Sequence, residues 1–281
     1  MCFNFCGNYN CRTISWKERM KHSTLLKIIS SVCAAGIFIS CSKNAKRAEG
    51  ALTKIDGVLT IGTEYGYPPF EYIAEDGVTL IGFDVDMWNE LCRRMNLKPE
   101  YYDTQWAGLF PALETDRYDC IISAVTITPE RSQKFLITKP YVQNSDCFVV
   151  RKDFEKVLSV PESLEGLKVA YQAETVSDVF VTGLKEKGLN IKTLEYDKLL
   201  DAFDDLRFGR VDVVVAESVA SGIIVKNNPD VYRIDFTGKP EEFFGILVNK
   251  KNQALFDLIQ NTLDSMYSDG WMKSNEDKWL N

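Results

Sequence analysis

The stretch Lys168–Val215, KVAYQAETVSDVFVTGLKEKGLNIKTLEYDKLLDAFDDLRFGRVDVVV, decides the fold class. Three short apolar runs, Lys168–Tyr171, Asn190–Leu194 and Val211–Val215, read as strands. Between them, Val176–Lys185 and Lys198–Phe208 carry helical periodicity. Strands alternating with helices in this way predict an α/β fold of parallel sheets covered by helices on both faces.

The pattern extends in both directions. Val58–Thr63 reads as a strand, Tyr65–Pro69 as a turn and Phe70–Tyr72 as a short strand. Phe83–Cys92 opens an amphipathic helix with Val85, Trp88, Leu91 and Cys92 on one face. Pro99–Tyr102 is a strand, Gly108–Leu113 a helix and Cys120–Ile122 a buried strand. Thr128 as N-cap before Pro129 starts another helix. Ser145–Val150 is a strand and Pro161–Gly166 a short capped helix. Toward the C-terminus come a strand over Phe243–Val248, a helix over Gln253–Met266 and a docked terminal helix over Asp269–Leu280, anchored by Trp271 and Trp279.

Composition bounds the function. The 281 residues are 45% hydrophobic and 26% charged, a globular composition with room for two domains. With 33 Lys+Arg against 40 Asp+Glu the net charge is -7, which gives no general attraction to nucleic acid. His22, the only histidine, lies near the N-terminus, which nearly excludes His-based triads and His-rich metal sites, and neither metal nor cofactor is expected.

Residues 1–40 are read as a leader and signal peptide. From Met20 a short basic region with Lys21 and Lys27 precedes the mostly apolar Ile28–Ile39, too short for a permanent membrane span. Translation is expected to start at Met20. Phe38-Ile39-Ser40-Cys41 resembles a bacterial lipoprotein cleavage box, which makes Cys41 the expected lipid anchor and residues 41–56 a tether. Cleavage would remove Arg12, Lys17, Arg19, Lys21, Lys27 and Glu18, taking the net charge from -7 to -11. Of eight cysteines only Cys92, Cys120 and Cys147 lie in the folded body, so no disulfide framework is expected despite export.

The runs GTEYGYPPFEY (62–72), GFDVD (82–86) and SAVTITPERSQKFLITKPY (123–141) resemble the extracytoplasmic solute-binding proteins that serve ABC importers for polar amino acids. The likeness continues through Gly166–Gln172 and Phe208–Glu217 to Lys278-Trp279. It implies two α/β lobes joined by two crossing strands, with a ligand cleft between them. Lobe 1 would span 57–142 and 244–281, lobe 2 would span 143–243, and the crossing strands would lie near Val142–Ser145 and Glu242–Gly245.

A free amino acid brings a carboxylate and an ammonium on adjacent carbons, and enclosing it requires both to be matched. The resemblance assigns the carboxylate to Arg131, whose planar guanidinium can grip it with two prongs. In a first helical turn that cation otherwise sits unfavourably beside the positive helix end. Thr126 would add its hydroxyl and N–H, and Ser123 and Ala124 their backbone groups, beyond the carboxyl end of a strand. From lobe 2, Glu217 would hold the ammonium and Thr175 would present its N–H at a helix start. Ala173 stands where the family commonly has glycine, and Glu174 adds a carboxylate beside that turn. Tyr67 and Trp106 would flank the ligand side chain, with Glu64 and Gln172 facing it. Glu64 favours a basic amino acid, glutamine or cystine over an acidic one.

The resemblance implies a monomer that closes on its ligand by hinge rotation and docks on ABC permease subunits. With no Walker A loop, ATP hydrolysis belongs to other chains. Two alternatives stand beside this reading: an exported dehydratase-type enzyme on the same fold, using Glu64 or Glu174, and a tethered amino-acid sensor.

Overall fold

Two five-stranded sheets carry the chain, and the computed structural model describes residues 50–239 and 241–281. The expected leader, signal segment and Cys41 anchor lie outside the described residues. In the first sheet β1 (Val58–Thr63) runs parallel to β4 (Lys98–Asp103) on one side and β5 (Cys120–Ile121) on the other. Beyond β5 lies β14 (Leu247–Asn249), antiparallel to it and to the edge strand β6 (Phe135–Ile137). In the second sheet β10 (Lys192–Tyr196), β9 (Lys168–Gln172) and β11 (Val213–Glu217) are parallel. There β8 (Asp146–Arg151) alone runs the other way, antiparallel both to β11 and to the edge strand β12 (Tyr232–Thr237). Between the sheets β7 (Val142–Asn144) pairs antiparallel with β13 (Glu242–Phe244), the two crossing strands. A two-residue ladder of β2 (Tyr72–Ile73) and β3 (Leu80–Ile81) lies beside the first sheet.

Parallel pairing, the sequence expectation, holds among β4, β1 and β5 and among β10, β9 and β11. It fails at β8 and β14, which enter their sheets directly from the crossing strands without a crossover helix. The single strand expected over Phe243–Val248 is two strands. Gly245 separates them, its N–H bonded to Val125 O at 2.9 Å, and a Cβ there would meet Ile137 Cγ2 at 2.7 Å. The chain turns from the crossing ladder into the first sheet at a point that only glycine fits. Strands β6 and β12 carry no clear period in sequence.

The helices are α1 (Phe83–Met95), α2 (Trp106–Glu114), α3 (Pro129–Lys134), α4 (Val176–Glu186), α5 (Leu199–Arg207), α6 (Ser218–Asn227), α7 (Gln253–Ser268) and α8 (Trp271–Trp279). Gly82, at φ 142°, opens α1 where a Cβ would lie 1.9 Å from Phe70 O. That close approach sets Asp84 beneath the loop carrying Phe70 and Glu71. The apolar face of α1 (Trp88, Leu91) and that of α7 (Leu255, Ile259, Leu263, Met266) are fully buried. Each such side chain contributes about 1.5–3 kcal/mol on burial. The terminal helix docks as expected, with Trp279 Nε1 donating to Asp86 Oδ2 at 2.7 Å and the ring meeting Tyr72 edge-on.

Candidate functional site

Strands β1 and β5 of one sheet and β9 and β11 of the other end at the same narrow space. Glu64, Tyr67, Trp106, Ser123, Ala124, Gln172, Thr175 and Glu217 line it, eight of the ten positions expected from sequence. Thr126, bridged to Phe244 of β13, and Arg131, packed on the Trp106 ring, are not in its wall. A second groove of about 1020 Å³, open to solvent, lies between α6, α8 and Val142–Gln143, and none of the ten positions lines it.

Each residue is placed by local chemistry. Glu64 follows β1, and its Oε1 accepts from Trp106 N at 3.0 Å, so a carboxylate meets the positive start of α2. Gln105, the N-cap, offers no side-chain bond there. Ser123 Oγ accepts from Glu64 N (3.1 Å) and donates to Glu71 Oε1 (2.7 Å). Ala124, in the left-handed region at φ 45°, gives its N–H to Asp84 Oδ2 at 2.8 Å.

Thr128 caps α3 as expected, its hydroxyl accepting from Arg131 N at 3.2 Å. The Arg131 guanidinium donates to Thr126 O at 2.8 Å and lies 4.8 Å above the Phe110 ring and 5.3 Å from that of Trp106. These faces attract the cation without using its other N–H donors. Among the described residues no carboxylate ion-pairs with it. Burial lowers its pKa to about 10, partly opposed by the charge of Glu217. The Thr126 hydroxyl is buried and has no hydrogen-bond partner among the described residues.

From the second sheet, Gln172 Nε2 donates to Glu64 Oε2 at 2.6 Å and to Asp197 O at 2.9 Å. Thr175 caps α4. The turn before it takes its strain at Glu174 (φ 61°), an exposed residue, and not at Ala173, so the missing glycine costs nothing at 173. Glu217 ends β11, 6% exposed, and Oε2 accepts from Tyr67 O–H at 2.6 Å. Burial raises the pKa values of Glu64 and Glu217, offset by the bonds just described. Three hydrogen bonds therefore cross the space: Tyr67 to Glu217, Gln172 to Glu64, and Trp106 Nε1 to Glu174 O at 3.0 Å.

Sequence reasoning missed the acids around these residues. Asp146 bonds to Ser177 Oγ at 2.6 Å, and burial together with Glu217 lifts its pKa to about 7. Glu242 on β13 is lifted to about 8 by burial, then by Asp146 and Glu217. Their separation in sequence gave no pattern to find; only β7 and β13 bring them together.

The model of the bacterial extracellular solute-binding proteins, family 3, matches residues 59–281. The ABC transporter arginine-binding protein 1 of Escherichia coli (strain K12) is 30% identical over 226 residues, covering 79% of this chain and 90% of that protein. The L-cystine-binding protein TcyJ of the same strain is 27% identical over 254 residues, covering 90% and 94%. An ancestral arginine-binding protein solved with arginine bound superposes with a TM-score of 0.76 at 31% identity, covering 80% of this chain and 99% of that one. The architecture is the bilobed type II periplasmic-binding-protein fold, with the narrow space between its lobes. By sequence match over most of its length and by fold, the chain belongs to the bacterial extracellular solute-binding proteins of family 3.

Proposed function

We propose that this chain is the amino-acid-binding subunit of an ABC importer and that its ligand carries a basic side chain. One observation carries the reading: Glu217 lines the space and Arg131 packs on the ring of Trp106, which also lines it, the two oppositely charged and in no ion pair among the described residues. In this reading Arg131 holds the α-carboxylate, helped by the unpartnered Thr126 hydroxyl and by the N–H groups at Ser123 and Thr175, while the Ala124 N–H, held by Asp84, shapes the turn instead. Glu217 holds the α-ammonium, and Glu64 with Gln172 the side-chain end, between Tyr67 and Trp106.

Tyr67 and Gln172 now occupy the acceptors that a ligand would claim. On entry the ammonium replaces the Tyr67 hydroxyl at Glu217, and a guanidinium or ammonium shares Glu64 with Gln172. An acidic side chain would instead set like charges together. The segments 57–142 with 244–281, and 143–243, move as the two lobes about β7 and β13. Cys41 carries the lipid that keeps the protein, a monomer, on the outer side of a bacterial membrane.

Denaturing the purified mature protein and analysing both protein and released ligand by mass spectrometry tests this directly. The expected result is an unmodified basic amino acid and a lipidated N-terminal Cys41, followed by micromolar calorimetric binding of L-arginine, about 8 kcal/mol. Tighter binding of L-glutamate than of L-arginine overturns the assignment of Glu64.

A further inference from the structure

Behind the first-sheet wall lie two carboxyl groups that amino-acid capture does not touch. Glu71 and Asp84 are both fully buried and adjacent, anchored on the neighbouring residues Ser123 and Ala124. Glu71 Oε1 takes the Ser123 hydroxyl at 2.7 Å; Asp84 Oδ2 takes the Ala124 N–H at 2.8 Å and the Tyr141 hydroxyl at 3.0 Å. The two oxygens left over, Glu71 Oε2 and Asp84 Oδ1, are sealed from solvent, and no donor of the described residues reaches either. The titratable groups facing the pair are Glu64, Tyr67 and Tyr141, none of them a cation.

Two ionised carboxylates cannot share a dry site without a counter-charge. A single proton held between them is the donor both lack, since a protonated carboxyl gains an O–H while its partner accepts. Burial acts to retain that proton, lifting Asp84 to about 7, while burial and then the charge of Asp84 hold Glu71 well above the ordinary carboxyl range.

What hangs from the pair is the pocket wall. Ser123 links Glu71 to the backbone of Glu64, and Asp84 holds Ala124 in a left-handed conformation that a non-glycine residue resists. We infer that Glu71 and Asp84 share one proton and act as a positioning pair, holding Glu64 and the Ser123–Ala124 turn in the geometry that receives the ligand. The positioning half rests on the amino-acid reading above; the shared proton does not.

The test compares Glu71→Gln, Glu71→Leu and Ser123→Ala with the unchanged protein. Glutamine keeps an acceptor for Ser123 and replaces the shared proton by a permanent N–H aimed at Asp84. At pH 7 the infrared difference between wild type and Glu71→Gln should show loss of a protonated-carboxyl C=O stretch. Identical spectra overturn the shared proton, whether or not any amino acid binds. Glu71→Leu should weaken L-arginine binding at least tenfold, with Glu71→Gln recovering most of the loss. If Glu71→Leu does not fold, Ser123→Ala decides: it cuts the link and leaves the pair. At least threefold weaker binding with the infrared band retained supports positioning, and unchanged affinity overturns it. Should L-arginine bind neither the variants nor wild type, the ligand reading and the positioning role fall together while the infrared result stands.

Discussion

The two sides of the pocket, each taken with the residues packed around it, are built on opposite plans. On the first-sheet side every group is braced from behind: Ser123 and Ala124 by Glu71 and Asp84, Arg131 by the Thr128 cap and two aromatic faces, Glu64 by the start of α2. On the second-sheet side Asp146, Glu217 and Glu242 crowd near the crossing strands, and no Lys or Arg of the described residues pairs with them. One side is braced around a cation and the other gathers acids. Under the function proposed above, the ligand's carboxylate would answer the first and its ammonium the second.

Removing the organised cation should have the largest effect. Arg131→Ala is expected to weaken amino-acid binding by about 10–100-fold, about 1.4–2.7 kcal/mol, because the carboxylate is then buried unpaired. Calorimetry at constant pH reads it, and a loss below threefold would place the anion site elsewhere.

The acid-rich wall makes a prediction about pH. Asp146 and Glu242 have folded pKa values of about 7 and about 8, above those of ordinary carboxyls in an unfolded chain, about 4. The folded state therefore binds more protons between those limits, and stability should fall as pH rises from about 4 to about 8. Below that window the penalty is absent. Glu242→Gln should flatten the upper part of the slope and raise the ligand-free melting temperature at pH 8 by about 2–4 °C for each kcal/mol recovered. An unchanged slope would mean these acids are solvated and the contrast between the walls is structural only.

The smallest effect concerns the exposed turn of the second wall. Glu174→Gly removes a left-handed strain while keeping the carbonyl that accepts from Trp106, and should stabilise the protein by about 1 kcal/mol. Thermal unfolding measures it, and destabilisation would show that the Glu174 side chain does more than occupy solvent.

Local pattern made much of this legible. The helix at Pro129 was readable because Thr128 and Pro129 are a start signal in themselves, and α1, α4, α5 and α7 because their apolar faces repeat at helical spacing. The ten candidate positions came from short motifs whose order survives along the chain, and eight of them do line one space.

By itself the sequence determined the alternation of strand and helix, the capped starts, the charge balance and the pair of opposite charges available for a zwitterion. The tertiary structure alone decided which strands reverse direction, that β13 and β14 part at Gly245, and that Glu71 with Asp84, or Asp146 with Glu242, stand together. The reason is physical. Helix period and capping are set by neighbours within a few residues, whereas the protonation of a buried acid depends on burial and on charges brought near by distant segments. Nothing in a run of residues records that distance.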